Sequence, residues 1–162
     1  AYLEEIPEYK KDLLLAFISK ENIVTYIGNQ DVGKTLDPVD LIGINIYPNP
    51  YIPDTQSEVR TYICVDIYVP RVRDKFFKDV ETVINVSSHK DHTGYKGKSR
   101  VDLLNIEIDK ILNGNQDFGI DGVELVSVAP YIPNSNKFFG KQLVYRVQNF
   151  NQRRCRHNEH KN

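Results

Sequence analysis

The stretch Val59-Arg60-Thr61-Tyr62-Ile63-Cys64-Val65-Asp66-Ile67-Tyr68-Val69 decides the fold class of this chain. Every second residue is β-branched, and this period of two is typical of a strand that turns one face to a core. The predicted inner face consists of Val59, Thr61, Ile63, Val65, Ile67 and Val69. We expect Pro70 to end the strand and Cys64 to be a small core or half-buried residue.

Further strands are predicted on both sides of this stretch. One spans residues 42–47 and stops at Pro48, and another spans residues 80–87. A closing pair spans residues 122–129 and 141–150, with prolines in the connection between them. The alternation of apolar and polar residues again indicates sheet, although the boundaries are less sharply marked.

Two helices are predicted to cover the sheet. The first runs from about Pro7 to Lys20, and residues 21–27 either extend it or form a short second turn. The second follows Ser99, a favourable N-cap, and stops at Asn113-Gly114. The order α-β-β-β-α-β-β predicts an α+β domain, with a mostly antiparallel sheet of about four to five strands under two helices.

Length and composition restrict the function classes. With 162 residues the chain is expected to form a single domain over residues 1–150, followed by a basic tail over 151–162. A net charge of -1 excludes a globally basic nucleic-acid binder but not a local basic patch. No apolar run reaches the roughly 18 residues that span a membrane. No secretory pattern opens the sequence, and two cysteines make no disulfide framework, so we expect a cytoplasmic origin.

One stretch matches a nucleotide-binding pattern. Residues 28–35 satisfy G-x-x-x-x-G-K-[ST] through Gly28, Gly33, Lys34 and Thr35. Such a loop needs a strand before it and a helix after it, and Pro38 falls inside the first turns of the required helix. A polar connecting loop is the favoured interpretation, and a small P-loop-like nucleotide-binding enzyme is the alternative.

A second polar segment concentrates histidine and lysine. His89-Lys90-Asp91-His92 has metal-ligand types, but Lys90, Lys96 and Lys98 oppose a dication. A metal-dependent nuclease around His89, Asp91 and His92 is therefore a third and weaker hypothesis. The favoured interpretation is a solvated basic loop that could face DNA or an acidic partner.

The C-terminal tail is the other basic segment. Its cations are Arg153, Arg154 and Arg156. Cys155, His157 and His160 are metal-ligand types, but whether they bind a metal stays open. No G-x-S-x-G elbow for a nucleophile occurs in the sequence.

Two regions resemble bacteriophage tail-terminator (tail-completion, or neck) proteins. The first is the predicted strand Ile84-Asn85-Val86-Ser87-Ser88-His89-Lys90-Asp91, which leads to the R-x-D-x-L helix over residues 100–114. The second is the closing pair, residues 123–128 and 140–150. The resemblance covers most of the chain but consists of apolar spacing, and the insert over residues 51–57 and the basic tail have no place in it.

The resemblance implies a structural virion protein of the phage tail or neck, assembled in the host cytoplasm. Such proteins form a homo-hexameric ring that caps the tail tube and joins it to the neck connector, and genomic DNA passes through the channel without sequence-specific contact. It implies no enzyme activity, cofactor, metal or membrane. For contacts to neighbouring subunits, tail or DNA, we predict His89, Lys90, Lys96, Lys98, Arg153, Arg154 and Arg156.

Overall fold

A computed structural model of the chain describes residues 3–50, 58–115, 122–132 and 137–150. Within these ranges the helices are α1 (Ile6–Ile18), α2 (Glu21–Ile27) and α3 (Arg100–Leu112). The strands are β1 (Ile46–Tyr47), β2 (Thr61–Val72), β3 (Phe77–His89), β4 (Gly94–Tyr95), β5 (Lys98–Ser99), β6 (Glu124–Tyr131) and β7 (Phe138–Phe150). Short 3-10 helices occupy Pro38–Leu41 and Lys90–His92. The predicted α+β class is confirmed.

Five of these strands form one sheet in the order β1-β2-β3-β7-β6. Only β1 is parallel to its neighbour, pairing Ile46 with Ile63 and Tyr47 with Cys64, and the other pairs are antiparallel. Strand β3 lies at the centre and pairs with β7 along its whole length. Strands β4 and β5 form a small separate hairpin directly before α3. The predicted sheet of four to five mostly antiparallel strands is therefore confirmed.

The core lies between the helices and one face of the sheet. Apolar side chains alternate inward along the central strands, and helical stripes meet them. Its fully buried members include Leu13, Phe17, Ile23, Ile63, Val65, Ile84, Leu104 and Ile108. The helices pack mainly on β2, β3 and β7, so six of the eight residues of β6 remain exposed.

The opposite face of the sheet has a small apolar cluster of its own. Tyr62, Cys64 and Phe138 are buried there, and Tyr47 packs against them. Burial raises the pKa of the Cys64 thiol to about 12. The prediction that Cys64 is a small core residue is confirmed, and the alternation places it on the face away from the helices.

The predicted strand over residues 42–47 is wrong for most of its length. The amides of Ile44 and Asn45 both donate to the carbonyl oxygen of Leu41, which makes a turn. Gly43, with φ +94°, donates to the carbonyl oxygen of Ile46 at 2.8 Å and closes that turn. A left-handed residue interrupts the extended backbone, so only Ile46–Tyr47 pairs as a strand.

Pro70 does not end β2, contrary to the prediction. The strand continues to Val72, with a break in register between Tyr68 and Arg71. On the outer side of β2, pairing with β1 involves only Ile63 and Cys64. In the part of the chain that the structure describes, no other strand pairs with that side of β2, so the missing amide hydrogen of Pro70 breaks no ladder bond there.

The first predicted helix does not extend into residues 21–27. It ends at Ile18, and Lys20 is extended at φ -92° and ψ 113° before α2 begins. Residues 21–27 thus form a second helix, so three helices instead of two accompany the sheet. The start of α3 is as predicted, because Ser99 Oγ accepts a hydrogen bond from the amide of Asp102.

Candidate functional site

The segment between β3 and α3 forms one end of the sheet, which we call the loop end (residues 89–100). Strand β3 runs out through His89, a single 3-10 turn follows, and the β4–β5 hairpin leads into α3. The amide of Lys90 donates to the carbonyl oxygen of Lys137 at 2.7 Å, which brings the start of β7 to the same end. The segment is thus held by backbone bonds at both sides.

Three of the predicted contact residues lie on its surface. Lys90, Lys96 and Lys98 are exposed. Lys96 has φ 49° and Gly97 has φ 80°, so the two residues form the tight turn between β4 and β5. The three lysines are thus exposed within one segment at the loop end, and their predicted contacts with subunits, tail or DNA stay predictions.

His89 departs from the expectation of a solvated loop. Its side chain is only 4% exposed, and its ring lies edge-on to that of Phe138 at 5.3 Å between centroids. Its Nδ1 accepts a hydrogen bond from the amide of Asp91 at 3.1 Å. Burial removes this ring from the surface, so His89 caps the 3-10 turn and is not placed to contact a partner directly.

Arg100 fixes the hairpin to the helical layer. Its Nη1 donates to the carbonyl oxygen of Tyr26 at 3.0 Å, and its guanidinium lies over the ring of Tyr95 at 5.2 Å from the centroid. The Tyr95 ring meets Tyr26 edge-on at 5.4 Å. Arg100 had no predicted role, although an arginine five residues after a tyrosine in a basic loop was an available signal.

His92 belongs to a partly buried chain of hydrogen-bonded side chains. Its Nδ1 shares a hydrogen bond of 2.8 Å with Thr61 Oγ1, which lies 2.5 Å from Ser88 Oγ. Burial, followed by the charge of Arg100, lowers the pKa of His92 below its ordinary value. A neutral imidazole is therefore favoured at pH 7, and its role in this chain is hydrogen bonding between β2, β3 and the loop end.

The three groups of the weaker nuclease hypothesis do not converge. The His89 ring lies against Phe138, and the His92 ring is directed at Thr61. In the part of the chain that the structure describes, no three His, Cys, Asp or Glu side chains gather as metal ligands do. The described geometry gives no support to a metal centre here.

The backbone of residues 28–35 does not have the geometry of a phosphate-binding loop. Residues 28–35 follow helix α2 instead of a strand, and Gly28, at φ 67°, is its C-cap. All six amides from Asp31 to Leu36 donate to oxygens of Asn29, Asp31 or Leu36. A phosphate cradle needs those amides free and pointing outward. Lys34 and Thr35 are exposed and lie with Gly33 in this turn, whereas Gly28 ends α2 and its amide donates to the carbonyl oxygen of Val24.

A cavity of about 270 Å³ lies beside that turn. It is lined by Ile27, Gly28, Asn29, Gln30, Asp31, Asn45, Val59, Arg60 and His92. Asn29 Nδ2 donates to Asn45 Oδ1 at 3.0 Å, and Asn45 Nδ2 donates to the carbonyl oxygen of Thr61 at 2.9 Å. The lining is thus a polar network that joins α2, β1 and β2 at the loop end.

The remaining predicted site residues are in the C-terminal tail. Arg153, Arg154 and Arg156, with the metal-ligand types Cys155, His157 and His160, lie outside the described residues. Their predicted contacts stay predictions. In the described ranges, no helix has the length and apolar character that crossing a membrane requires.

Comparison with known protein families identifies the family to which this chain belongs. The model of the YomW family matches residues 14–147, a span that runs from α1 to near the end of β7. The chain belongs to the YomW family, a phage-associated family. No curated protein matches the chain. The resemblance to a phage protein is therefore supported at the level of a phage-associated family.

Proposed function

We propose that this chain is a structural virion protein of a phage tail, a tail terminator that forms a ring around the DNA channel. Membership of a phage-associated family supports the general setting. The observation that carries the proposal is the basic loop end, where Lys96 and Lys98 are exposed on the hairpin that Arg100 holds and Lys90 is exposed on the 3-10 turn before it.

The chemistry of the loop end suits a polyanion that moves past without being read. Lysine ammonium groups on short turns attract phosphates by charge, and this attraction carries no base specificity. The Arg100 clamp gives the hairpin a fixed position, so it can present charge without an ordering cost at each contact. A DNA channel needs this combination of weak attraction and free passage.

In the proposed assembly, copies of the chain form a homo-hexamer that caps the tail tube and meets the neck connector. A ring built from one chain needs two different surfaces on each subunit, because each contact is heterologous. The assembled particle belongs to the virion, and assembly takes place in the host cytoplasm. No catalytic step is part of this function.

Light scattering over a concentration series, with negative-stain imaging of the same samples, tests the ring. We expect an annulus with about six times the chain mass of 18.7 kDa. A mass of 18.7 kDa at every concentration, also with tail tubes of the cognate phage present, would contradict the proposal.

The role of the basic loop end is tested on a triple variant, Lys90→Glu, Lys96→Glu and Lys98→Glu. We expect ring formation to persist while DNA association, followed by fluorescence anisotropy at low salt, weakens at least tenfold and loses its salt dependence. A matched triple variant of the exposed residues Lys20, Lys34 and Lys75 changes net charge equally and should keep most of the association. Equal losses in both triples would show that the loop end is not the contact.

A further inference from the structure

Among the residues that the structure describes, strand β6 is only partly covered: Leu125 packs against the core and its amide donates to Asn113 Oδ1, whereas residues 126–130 are exposed. It is the last strand of the sheet, and the helices pack over β2, β3 and β7 instead. Val126 is 49% exposed and Val128 is 51% exposed, and the apolar surface continues through Ile132 and Phe139. We call Val126, Val128, Ile132 and Phe139 the β6 edge. Exposed apolar side chains along an edge strand are typical of a surface that binds a protein partner.

A second apolar surface lies towards the opposite edge of the sheet. Tyr68, Val72 and Phe76 are 40–45% exposed along the outer part of β2 and its turn into β3. We call these three residues the hairpin edge. Two different apolar surfaces on opposite sides of one subunit are what a heterologous contact between identical chains requires.

The topology sets how two copies would lie side by side. Strand β6 is antiparallel to β7, which is antiparallel to β3, so β6 runs opposite to β2. If the sheet of one copy continues into the next, the start of β6 lies beside the end of β2. Beyond Cys64, where β1 stops pairing, β2 has eight residues left (65–72), and β6 also has eight.

The positions of two charged residues agree with this antiparallel direction. Glu124 begins β6 and is exposed, and Arg71 lies near the end of β2 and is exposed. The antiparallel arrangement brings this carboxylate and this guanidinium to the same end of the contact. Opposite charges at matching positions fix the register of an interface and disfavour its reverse.

The backbone of the two edges is not suited to a continuous hydrogen-bonded ladder, so a contact between them would rest on side chains. The amide of Ile67 already donates to Asp66 Oδ1 at 2.8 Å, and Pro70 has no amide. On β6, Pro130 also lacks an amide, and the register breaks between Leu125 and Ser127. These are the devices by which edge strands avoid unlimited pairing.

We propose that the β6 edge of one copy packs against the hairpin edge of a second copy, with Glu124 beside the second copy's Arg71. The inference rests on the proposed function, because it names the subunit contact of the ring. Its occupant is a second copy of this chain, and its chemistry is apolar packing bordered by one ion pair.

Substitution tests the apolar part. Val128→Asp buries a carboxylate in the proposed contact. We therefore expect at least a tenfold rise in the protein concentration at which half of the assembly has dissociated, as measured by light scattering. Val39→Asp is the matched control, since Val39 is 52% exposed on the Pro38–Leu41 turn away from both edges. Circular dichroism confirms that both variants are folded. Assembly of Val128→Asp like the control overturns the inference and leaves the ring itself standing.

Charge reversal tests the orientation. Glu124→Arg and Arg71→Glu should each weaken assembly, and the double variant should recover most of it. A double variant as weak as the singles overturns the proposed direction.

Cross-linking separates the contact from the ring. Ser127→Cys and Tyr68→Cys in a Cys155→Ser background place exposed thiols near the middle of the two edges. Mild oxidation should give a disulfide-linked ladder, and its absence overturns the contact. A ladder without an annulus in negative stain supports the contact and contradicts the tail-terminator ring.

Discussion

A Cβ atom on Gly28 would lie 2.5 Å from Nη1 of Arg100, although the two residues are 72 positions apart in the chain. The guanidinium cannot move away without cost, since it is bonded to the carbonyl oxygen of Tyr26 and lies over Tyr95. Glycine at position 28 therefore does two things. It adopts the left-handed backbone that ends α2, and it leaves room for the arginine that holds the loop end.

Gly28→Ala should destabilise the protein by about 2 kcal/mol or more, from left-handed strain and the displaced Arg100 contacts. Urea denaturation gives the free energy of unfolding. The control is Gly33→Ala, because Gly33 also has positive φ (+86°) but nothing lies within 4 Å of its Cβ position. It should cost only the backbone strain, about 1 kcal/mol. Equal losses at both positions would show that Arg100 is not displaced.

His92 should make stability depend on pH near neutrality. Burial and the charge of Arg100 lower its pKa in the folded state, so the unfolded chain binds the proton more readily. The free energy of unfolding of the wild type should therefore fall as pH decreases through 6.5, until the folded-state pKa is passed. His92→Asn should remove this part of the slope. Denaturation curves of both proteins from pH 7.5 to 5 give the free energy of unfolding at each pH. Equal slopes of this free energy against pH for the two proteins would contradict the role of His92.

Tyr145 joins the sheet to α3. Its hydroxyl donates to Asp109 Oδ1 at 2.8 Å, while its ring is fully buried. Tyr145→Phe keeps the ring but removes the donor, so we expect a loss of about 1–2 kcal/mol in the free energy of unfolding. Tyr26→Phe keeps the edge-on ring contact with Tyr95 and should change stability by less than about 0.5 kcal/mol. Thermal or urea unfolding of both variants measures these differences. An unchanged free energy of unfolding for Tyr145→Phe would contradict the role of this hydrogen bond.

The turn over residues 28–35 should not bind nucleotides. Its amides already donate within the turn, so isothermal titration with Mg-ATP should give no binding heat for the wild type. Lys34→Ala, at an exposed position, should leave stability within about 0.5 kcal/mol. Saturable binding that disappears in Lys34→Ala would restore the nucleotide hypothesis.

Local patterns predicted most of the sheet and the last helix. Alternation in β2 gave its buried face over Ile63, Val65 and Ile67, but Val59, predicted on the same face, lies before the strand and is 52% exposed. Ser99 with Asn113-Gly114 gave both ends of α3. Such signals lie within a few residues of the structure they determine. The exposure of Lys90, Lys96 and Lys98 was predictable for the same reason, because lysine in a loop is hydrated.

Long-range contacts decided what the sequence did not reveal. His89 is buried because Phe138, 49 residues later, closes over it. The turn before β1 depends on backbone bonds back to Leu41, which no apolar period announces. The pattern over residues 28–35 matched residue identities, whereas phosphate binding depends on the direction of amides, and these are set by the preceding helix.

The central position of β3 has a consequence for how the protein opens. Its amides and carbonyls pair with β2 on one side and with β7 on the other, along nearly the whole strand. No single loop movement can therefore release them, so hydrogen exchange there should report global unfolding only. Strand β6 borders a single neighbour and can detach while the rest stays folded. The subunit would then have a stable central strand and one edge strand that opens locally.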